Sequence, residues 1–164
     1  MQQRYLIALG SNQRHHRHGR PEQVLRVALV ALGQGGAKVL AAAPAIRSTP
    51  LGPSRRRYAN GAALIKTRLG PEALLSLLQG IEADFGRRRS GQRWSARVLD
   101  LDIVLWSGGA WSSPGLTIPH VEFRGRGFVL GPASAIAPAW RDPLTRLSLR
   151  QLHSRLTRPR AIPR

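Results

Sequence analysis

Two periodicities divide this chain. Residues 4–9 are a short apolar run that reads as a buried strand, and Gly10-Ser11-Asn12 breaks it as a turn. From Pro21 the spacing becomes helical. Val24, Leu25, Ala28, Leu29 and Leu32 fall on one face, with Pro21 suited to the first helical position and Gly33 to the residue past the end. Residues 37–48 read as a second strand, where Pro44 implies an edge position or a bulge. A rigid turn, Thr49-Pro50-Leu51-Gly52-Pro53, and the basic run Arg55-Arg56-Arg57 lead into a third strand over 58–68. A second helix starts at Gly70-Pro71-Glu72 and stops at Gly86. It carries Leu74, Leu75, Leu78, Ile81 and Phe85 on one face, with Gln79 and Glu82 on or beside the polar side. Residues 98–105 alternate with period two, which predicts a central strand. Asp100 and Asp102 then project from one face, while Leu99, Leu101, Ile103 and Leu105 point into a core. Ser107-Gly108-Gly109 predicts a hairpin turn between Trp106 and Trp111. Helical spacing returns over 128–137 and 147–156, and residues 157–164 are expected to fray.

The order strand, helix, strand, strand, helix, strand is the βαββαβ pattern of a ferredoxin-like α+β fold. It predicts an antiparallel sheet with helices packed on it and a C-terminal extension, giving three αβα layers. No repeat or linker divides the chain, so residues 1–164 are expected to form one domain. There is no cysteine, which excludes a disulfide framework and thiolate-bound metals. No stretch approaches the roughly 18 apolar residues of a membrane span, and the N-terminus lacks a signal-peptide pattern. A soluble, cytoplasmic, monomeric protein is the expectation. The formal net charge is +18, from 26 basic and 8 acidic residues, and only Lys38 and Lys66 are lysines. Such a charge favours anionic partners without choosing between nucleotides and nucleic acid.

Candidate chemistry concentrates in residues 86–106, GRRRSGQRWSARVLDLDIVLW. Paired carboxylates on one strand repel unless they face water or hold a cation. Oxygen ligands suit Mg²⁺, which takes one or two carboxylates plus phosphate oxygens. Arg87, Arg88, Arg89, Arg93 and Arg97 suit phosphate, which guanidinium grips bidentately. A site for a metal-bound polyphosphate is one reading; a solvated edge-strand face beside a basic loop is the other. A second patch, residues 116–130, sets Pro119-His120, Arg124, Arg126 and Phe128 in a loop. Asn60 is either a ligand-reading amide or a turn-stabilising residue. His15, His16 and His18 read as part of a flexible solvated loop rather than a metal site.

These residues together resemble the 6-hydroxymethyl-7,8-dihydropterin pyrophosphokinases, from about Tyr5 to Leu152. The markers are ALGSN at 8–12, TPLGP at 49–53, YANGA at 58–62, the arginine loop running through Trp94 and Arg97 into LDLDI at 99–103, LTIPH at 116–120 and RGF at 126–128. The resemblance implies transfer of pyrophosphate from ATP to the hydroxymethyl group of the pterin, with release of AMP, in folate biosynthesis. It implies that Asp100 and Asp102 hold two Mg²⁺ ions and that Arg87 and Arg97 act on phosphates and the transition state. Arg89, Trp94, Val98, His120 and Arg126 would belong to the ATP side, together with Gln79 and Glu82. The pterin would lie between Tyr58 and Phe128, with Asn60 reading its amide edge and Thr49, Pro50 and Leu51 completing the pocket.

The chain departs from the family pattern in places. Ser95-Ala96 stand where Gly-Pro is common, Val121 where an aromatic is frequent, and Ile46 near a usual tyrosine. The loop at 13–20 is longer and more basic, as is Arg55 to Arg57. These changes leave room for a paralogue acting on a related pterin. The rival class is a ferredoxin-like nucleic-acid-binding module. It is disfavoured because such sheets display aromatic pairs on central strands, where this chain is expected to carry Asp100 and Asp102.

Overall fold

The computed structural model describes residues 1–48, 58–86 and 98–163. The described strands are β1 (Gln3–Ser11), β2 (Lys38–Ala42), β3 (Ile46–Ser48), β4 (Tyr58–Thr67), β5 (Asp100–Trp106), β6 (Trp111–Ser113) and β7 (Leu116–Ile118). The helices are α1 (Pro21–Gln34), α2 (Pro71–Asp84), α3 (Gly127–Ile136) and α4 (Leu149–Thr157), with a 3-10 turn at Phe123–Gly125. The main sheet runs β2-β4-β1-β5, with β3 also pairing β4, and every pair is antiparallel. This is the predicted ferredoxin-like order, with one change of position. The aspartate strand β5 lies at the sheet's edge, not its centre.

Side-chain alternation sorts the sheet into two faces. On the first, Tyr5, Ile7, Leu9, Ala59, Ala63, Ile65, Leu101 and Ile103 meet Val24, Leu25, Ala28 and Leu32 of α1 and Leu74, Leu78 and Ile81 of α2. Both helices open on proline, whose absent N–H has no intrahelical partner at that position anyway. The Gln23 side chain reaches back to the Arg20 N–H at 2.8 Å, fixing the entry to α1. Helix α1 runs past Gly33 to Gln34, and Gly36, with φ +90°, takes the left-handed turn instead. On the second face, Leu6, Ala62, Val104 and Leu105 meet Phe123, Val129, Leu130, Ala133, Leu149 and Leu152. The C-terminal extension therefore forms the third layer.

Three details differ from the one-dimensional pattern. Leu6 pairs with Leu105 but Ile7 with Ile103, so Val104 is an extra residue, a bulge. The bulge puts Leu105 with the second-face core, away from Leu99, Leu101 and Ile103, and sends Trp106 to the first. Pro44 divides the expected strand 37–48 into β2 and β3, since it cannot donate to a ladder. The turn after Trp106 closes on Gly109, whose N–H donates to the Trp106 carbonyl at 3.0 Å. Trp111 pairs instead with Ile118 in a separate β6-β7 ribbon.

The histidine loop is packed at His15 and, in part, His18, while Arg14, His16 and Arg17 are exposed. His15 is 8% exposed, and its ring stacks on His16 and on His18, each at 4.4 Å between centroids. His15 and His18 also lie against Phe85 at the end of α2. The His15 Nδ1 accepts from the Arg17 and His18 amides, closing a turn bridged at His15 and Gly19. Burial, then the neighbouring His18, His16 and Arg17, push the His15 pKa down.

Candidate active site

Three adjacent strands build a floor on the second face. Gly10 of β1 lies opposite both Asn60 of β4 and Asp100 of β5. One step along, Ala8 lies opposite Ala63's neighbour Ala62 and opposite Asp102. Strands are spaced about 4.8 Å apart, so the amide strand and the carboxylate strand flank a trough roughly 10 Å across. Its middle strand contributes only a hydrogen and a methyl group. A Cβ on Gly10 would stand 3.5 Å from Asn60 Oδ1, 3.9 Å from Tyr58 Cδ1 and 4.0 Å from Asp100 Cβ. A methyl would fit there without clash but would fill the trough.

Asp102 is exposed and Asp100 half-buried at the rim. Beyond β7 the chain wraps round the β5 edge. The His120 N–H donates to the Val104 carbonyl at 3.0 Å, and its Nδ1 accepts from the Glu122 N–H at 3.2 Å. A neutral imidazole in that arrangement carries its proton on Nε2. Burial pushes the His120 pKa down; the Asp102 charge opposes this and Arg126 reinforces it. His120, Asp102 and Arg126 therefore act on one another electrostatically. Arg126 precedes α3, pairs with Glu122, and sits with its guanidinium carbon 5.7 Å from the Phe128 ring centre. Phe128 lies in the first turn of α3, not in a loop.

The wrapping segment is anchored from behind. Arg124 grips the fully buried Asp142 through Nε to Oδ2 at 2.6 Å and a second nitrogen to Oδ1 at 2.8 Å. The Thr145 hydroxyl and the Leu144 N–H donate to the same carboxylate. Burial alone would raise the Asp142 pKa, but these hydrogen bonds outweigh it and hold the group below the usual carboxylate range.

The fold thus gathers Tyr58, Asn60, Asp100, Asp102, His120, Arg126 and Phe128 along one side of the second face. Val98 is half-buried just before β5. Gln79 is exposed and Glu82 buried, at 3%, on α2, in the layer across the sheet; Glu82 is not on a polar side. Thr49, Pro50, Leu51, Arg87, Arg89, Trp94 and Arg97 lie outside the described residues. Gly10 and Ser11, expected in a turn, belong instead to β1, and the sequence does not mark Gly10 and Ala8 as floor or Ser48 as the residue whose Oγ accepts from Asn60 Nδ2 at 2.6 Å. Ala8 and Gly10 stand in the ALGSN marker, but their small size acquires meaning only once strand register is known.

The donor set fits a hard cation. Two carboxylates two residues apart on one strand face offer oxygen ligands. Among the described residues no group of three His, Cys, Asp or Glu side chains forms a cage. Mg²⁺ suits such a partial set because it keeps waters and takes phosphate oxygens for its remaining positions.

Over residues 6–138 the chain matches the family described as 7,8-dihydro-6-hydroxymethylpterin-pyrophosphokinase (HPPK). It is 39% identical over 145 residues to the 2-amino-4-hydroxy-6-hydroxymethyldihydropteridine pyrophosphokinase of Pseudomonas aeruginosa, covering 87% of this chain and 86% of that protein. With the Haemophilus influenzae protein of the same name it shares 40% over 133 residues, 80% of this chain and 79% of the relative. The structure of wild-type Plasmodium falciparum HPPK-DHPS with SDX-DHP superposes with a TM-score of 0.73 at 11% identity. That match covers 94% of this chain but 44% of the longer one, and shows the shared fold.

Proposed function

Because this chain belongs to the 7,8-dihydro-6-hydroxymethylpterin-pyrophosphokinase family and is a pyrophosphokinase, we propose that it transfers pyrophosphate from ATP to 6-hydroxymethyl-7,8-dihydropterin in folate synthesis. The hydroxymethyl oxygen attacks the β-phosphorus, the bond from that phosphorus to the α-phosphate oxygen breaks, and AMP leaves. The hydroxyl proton passes to solvent. The observation that carries this reading is the trough itself, with an amide strand on one side and a carboxylate pair on the other.

Each wall suits one reactant. A pterin is flat with a polar edge. Asn60 offers a buried donor and acceptor to that edge, while Tyr58 and Phe128 offer rings to its faces. Asp100 and Asp102 would hold Mg²⁺, two ions by family resemblance. When bound, the metal neutralises phosphate charge that builds as the leaving group departs. His120, with its Nε2 proton, and Arg126 would donate to phosphate oxygens, Arg126 exchanging Glu122 for substrate. Arg87 and Arg97 are assigned to phosphates, and Arg89, Trp94, Val98, Gln79 and Glu82 to the ATP side, on the resemblance alone. The chemistry is mainly positioning and electrostatics, which favours arginine with its permanent charge and planar fork.

The nucleic-acid reading has less support. The sheet face such modules present is covered at one end here by α3 and α4, and its open end carries Asp100 and Asp102, which repel phosphate unless a cation intervenes. A monomer in the cytoplasm is part of the proposal; among the described residues no helix is long and apolar enough to cross a membrane. The test is AMP formation from ATP and Mg²⁺ with and without the pterin. Pterin-dependent release, lost in Asp102→Ala, is expected. Folded protein that releases no AMP with this pterin, but does with a related one, would shift the assignment to a paralogue.

A further inference from the structure

Asn60 is 4% exposed, and its side chain is an amide whose two ends differ only in which of them donates. An amide reads a ligand edge only where its polar ends can reach that edge; displaced, it leaves buried polar groups unpaired. Something has to hold the side chain in place before the ligand arrives.

We propose that Ser48 is a positioning residue that holds the Asn60 side chain of β4 in position, with the short strand β3 serving to hold Ser48 in place. This inference rests on the pterin reading of the site. Ser48 Oγ accepts from Asn60 Nδ2 at 2.6 Å, which ties the side chain to β3; a hydroxyl both donates and accepts, so it fixes where the amide lies rather than which end donates. The oxygen end is left on the Gly10 side, where a Cβ would approach Oδ1 at 3.5 Å. Ser48 stands opposite Tyr58 in the β3-β4 ladder, and Ile46 opposite Asn60. Ser48 and Asn60 are thus diagonal same-face neighbours, and here they are close enough for the 2.6 Å contact. Strand β3 has three residues, of which Ile46 and Arg47 are exposed, so it adds little to the core. Its backbone pairing with β4 is what delivers the hydroxyl.

A positioning role predicts that Ser48 acts only through Asn60. Ser48→Ala keeps the β3 backbone ladder and should raise the KM for the pterin about tenfold, the size of one lost hydrogen bond, while kcat and the KM for ATP stay near wild type. Asn60→Ala should raise the pterin KM further. Adding Ser48→Ala to Asn60→Ala should then change nothing. Ser48→Thr, which restores the hydroxyl, should recover the wild-type KM. Ser48→Cys keeps the volume and most of the packing but offers a poor acceptor, and should reproduce the alanine effect even if the alanine variant folds badly. Multiplicative effects of Ser48→Ala and Asn60→Ala, or an unchanged pterin KM in both Ser48→Ala and Ser48→Cys, would overturn the positioning role while leaving the pyrophosphokinase assignment standing. Wild-type protein without pterin-dependent AMP release would instead overturn the reading of the site, and the positioning role with it.

Discussion

The two faces of this sheet are finished differently. The first is covered by two fourteen-residue helices and is apolar from Tyr5 to Leu9 along β1. The second is core at one end, where Leu6, Val104 and Leu105 meet α3 and α4. At the other end it is a trough of Gly10, Ala8, Asn60, Asp100 and Asp102. The same strand β1 serves both, because its odd residues face one layer and its even residues the other. One face is given to stability. Half of the other is left open as the candidate site, and small residues there leave the room that large ones would fill.

That contrast can be broken from either side. The largest effect on activity is expected from Asp102→Ala, which should lower turnover by about two to three orders of magnitude. Asp102 is exposed, so the melting temperature should stay within a few degrees of wild type. Near-normal turnover would remove the carboxylate from the chemistry. The mirror experiment is Leu78→Ala on the first face. Leu78 is fully buried, and the variant should lose about 3 kcal/mol of stability in urea melts. Turnover of its folded fraction at low temperature should be close to wild type; a collapse of turnover would mean that the two faces are not separable.

Asp142→Asn tests whether the trough's outer wall depends on its anchor. Replacing the charge that Arg124 grips should cost about 2 kcal/mol, less than a wholly buried pair because Arg124 is 28% exposed and can rehydrate. The KM for ATP should rise with it as His120 and Arg126 lose their support. An unchanged KM for ATP would show that the wall stands without its anchor.

The smallest effects come from titration, and the faces should differ in their windows. His15 packs on Phe85 beside the first face and has a lowered pKa. The unfolded state then takes up a proton more readily. The stability His15 contributes is present above about pH 6.5 and is lost as pH falls towards its folded value. Asp142, also lowered, contributes stability above its unfolded value of about 3.9, lost only as pH falls through the folded one. Melts from pH 7.5 to 3 should show a shallow loss near pH 6, absent in His15→Gln, before a steeper acid loss that is blunted in Asp142→Asn. A wild-type curve flat down to pH 4.5 would exclude the His15 contribution.

Local pattern was legible where a single rule decided the outcome. An apolar run in β1, period two in β5, helical spacing in α1 and α2, and their order predict the ferredoxin-like fold without any knowledge of contacts. Leu105 was misplaced because a bulge is an event between two strands: nothing in Val104-Leu105 alone marks one residue as extra. Helical spacing and charge put Glu82 on or beside the polar side, whereas tertiary packing buries it at 3%. His15 and His18 escape the solvated reading that holds for His16 because their partner, Phe85, lies some seventy residues away and only the fold brings it near.

What the sequence determined by itself was the periodicity of each element, hence which side chains share a face, and the chemical types in the motifs, hence the family. Those properties are local, because backbone geometry repeats every two or 3.6 residues wherever the chain goes. What only the tertiary structure decided was register. Gly10 lies between Asn60 and Asp100, and Ser48 reaches Asn60, because backbone hydrogen bonds across β3, β4, β1 and β5 align them that way. A shift of one residue would have sent every one of these side chains to the opposite face.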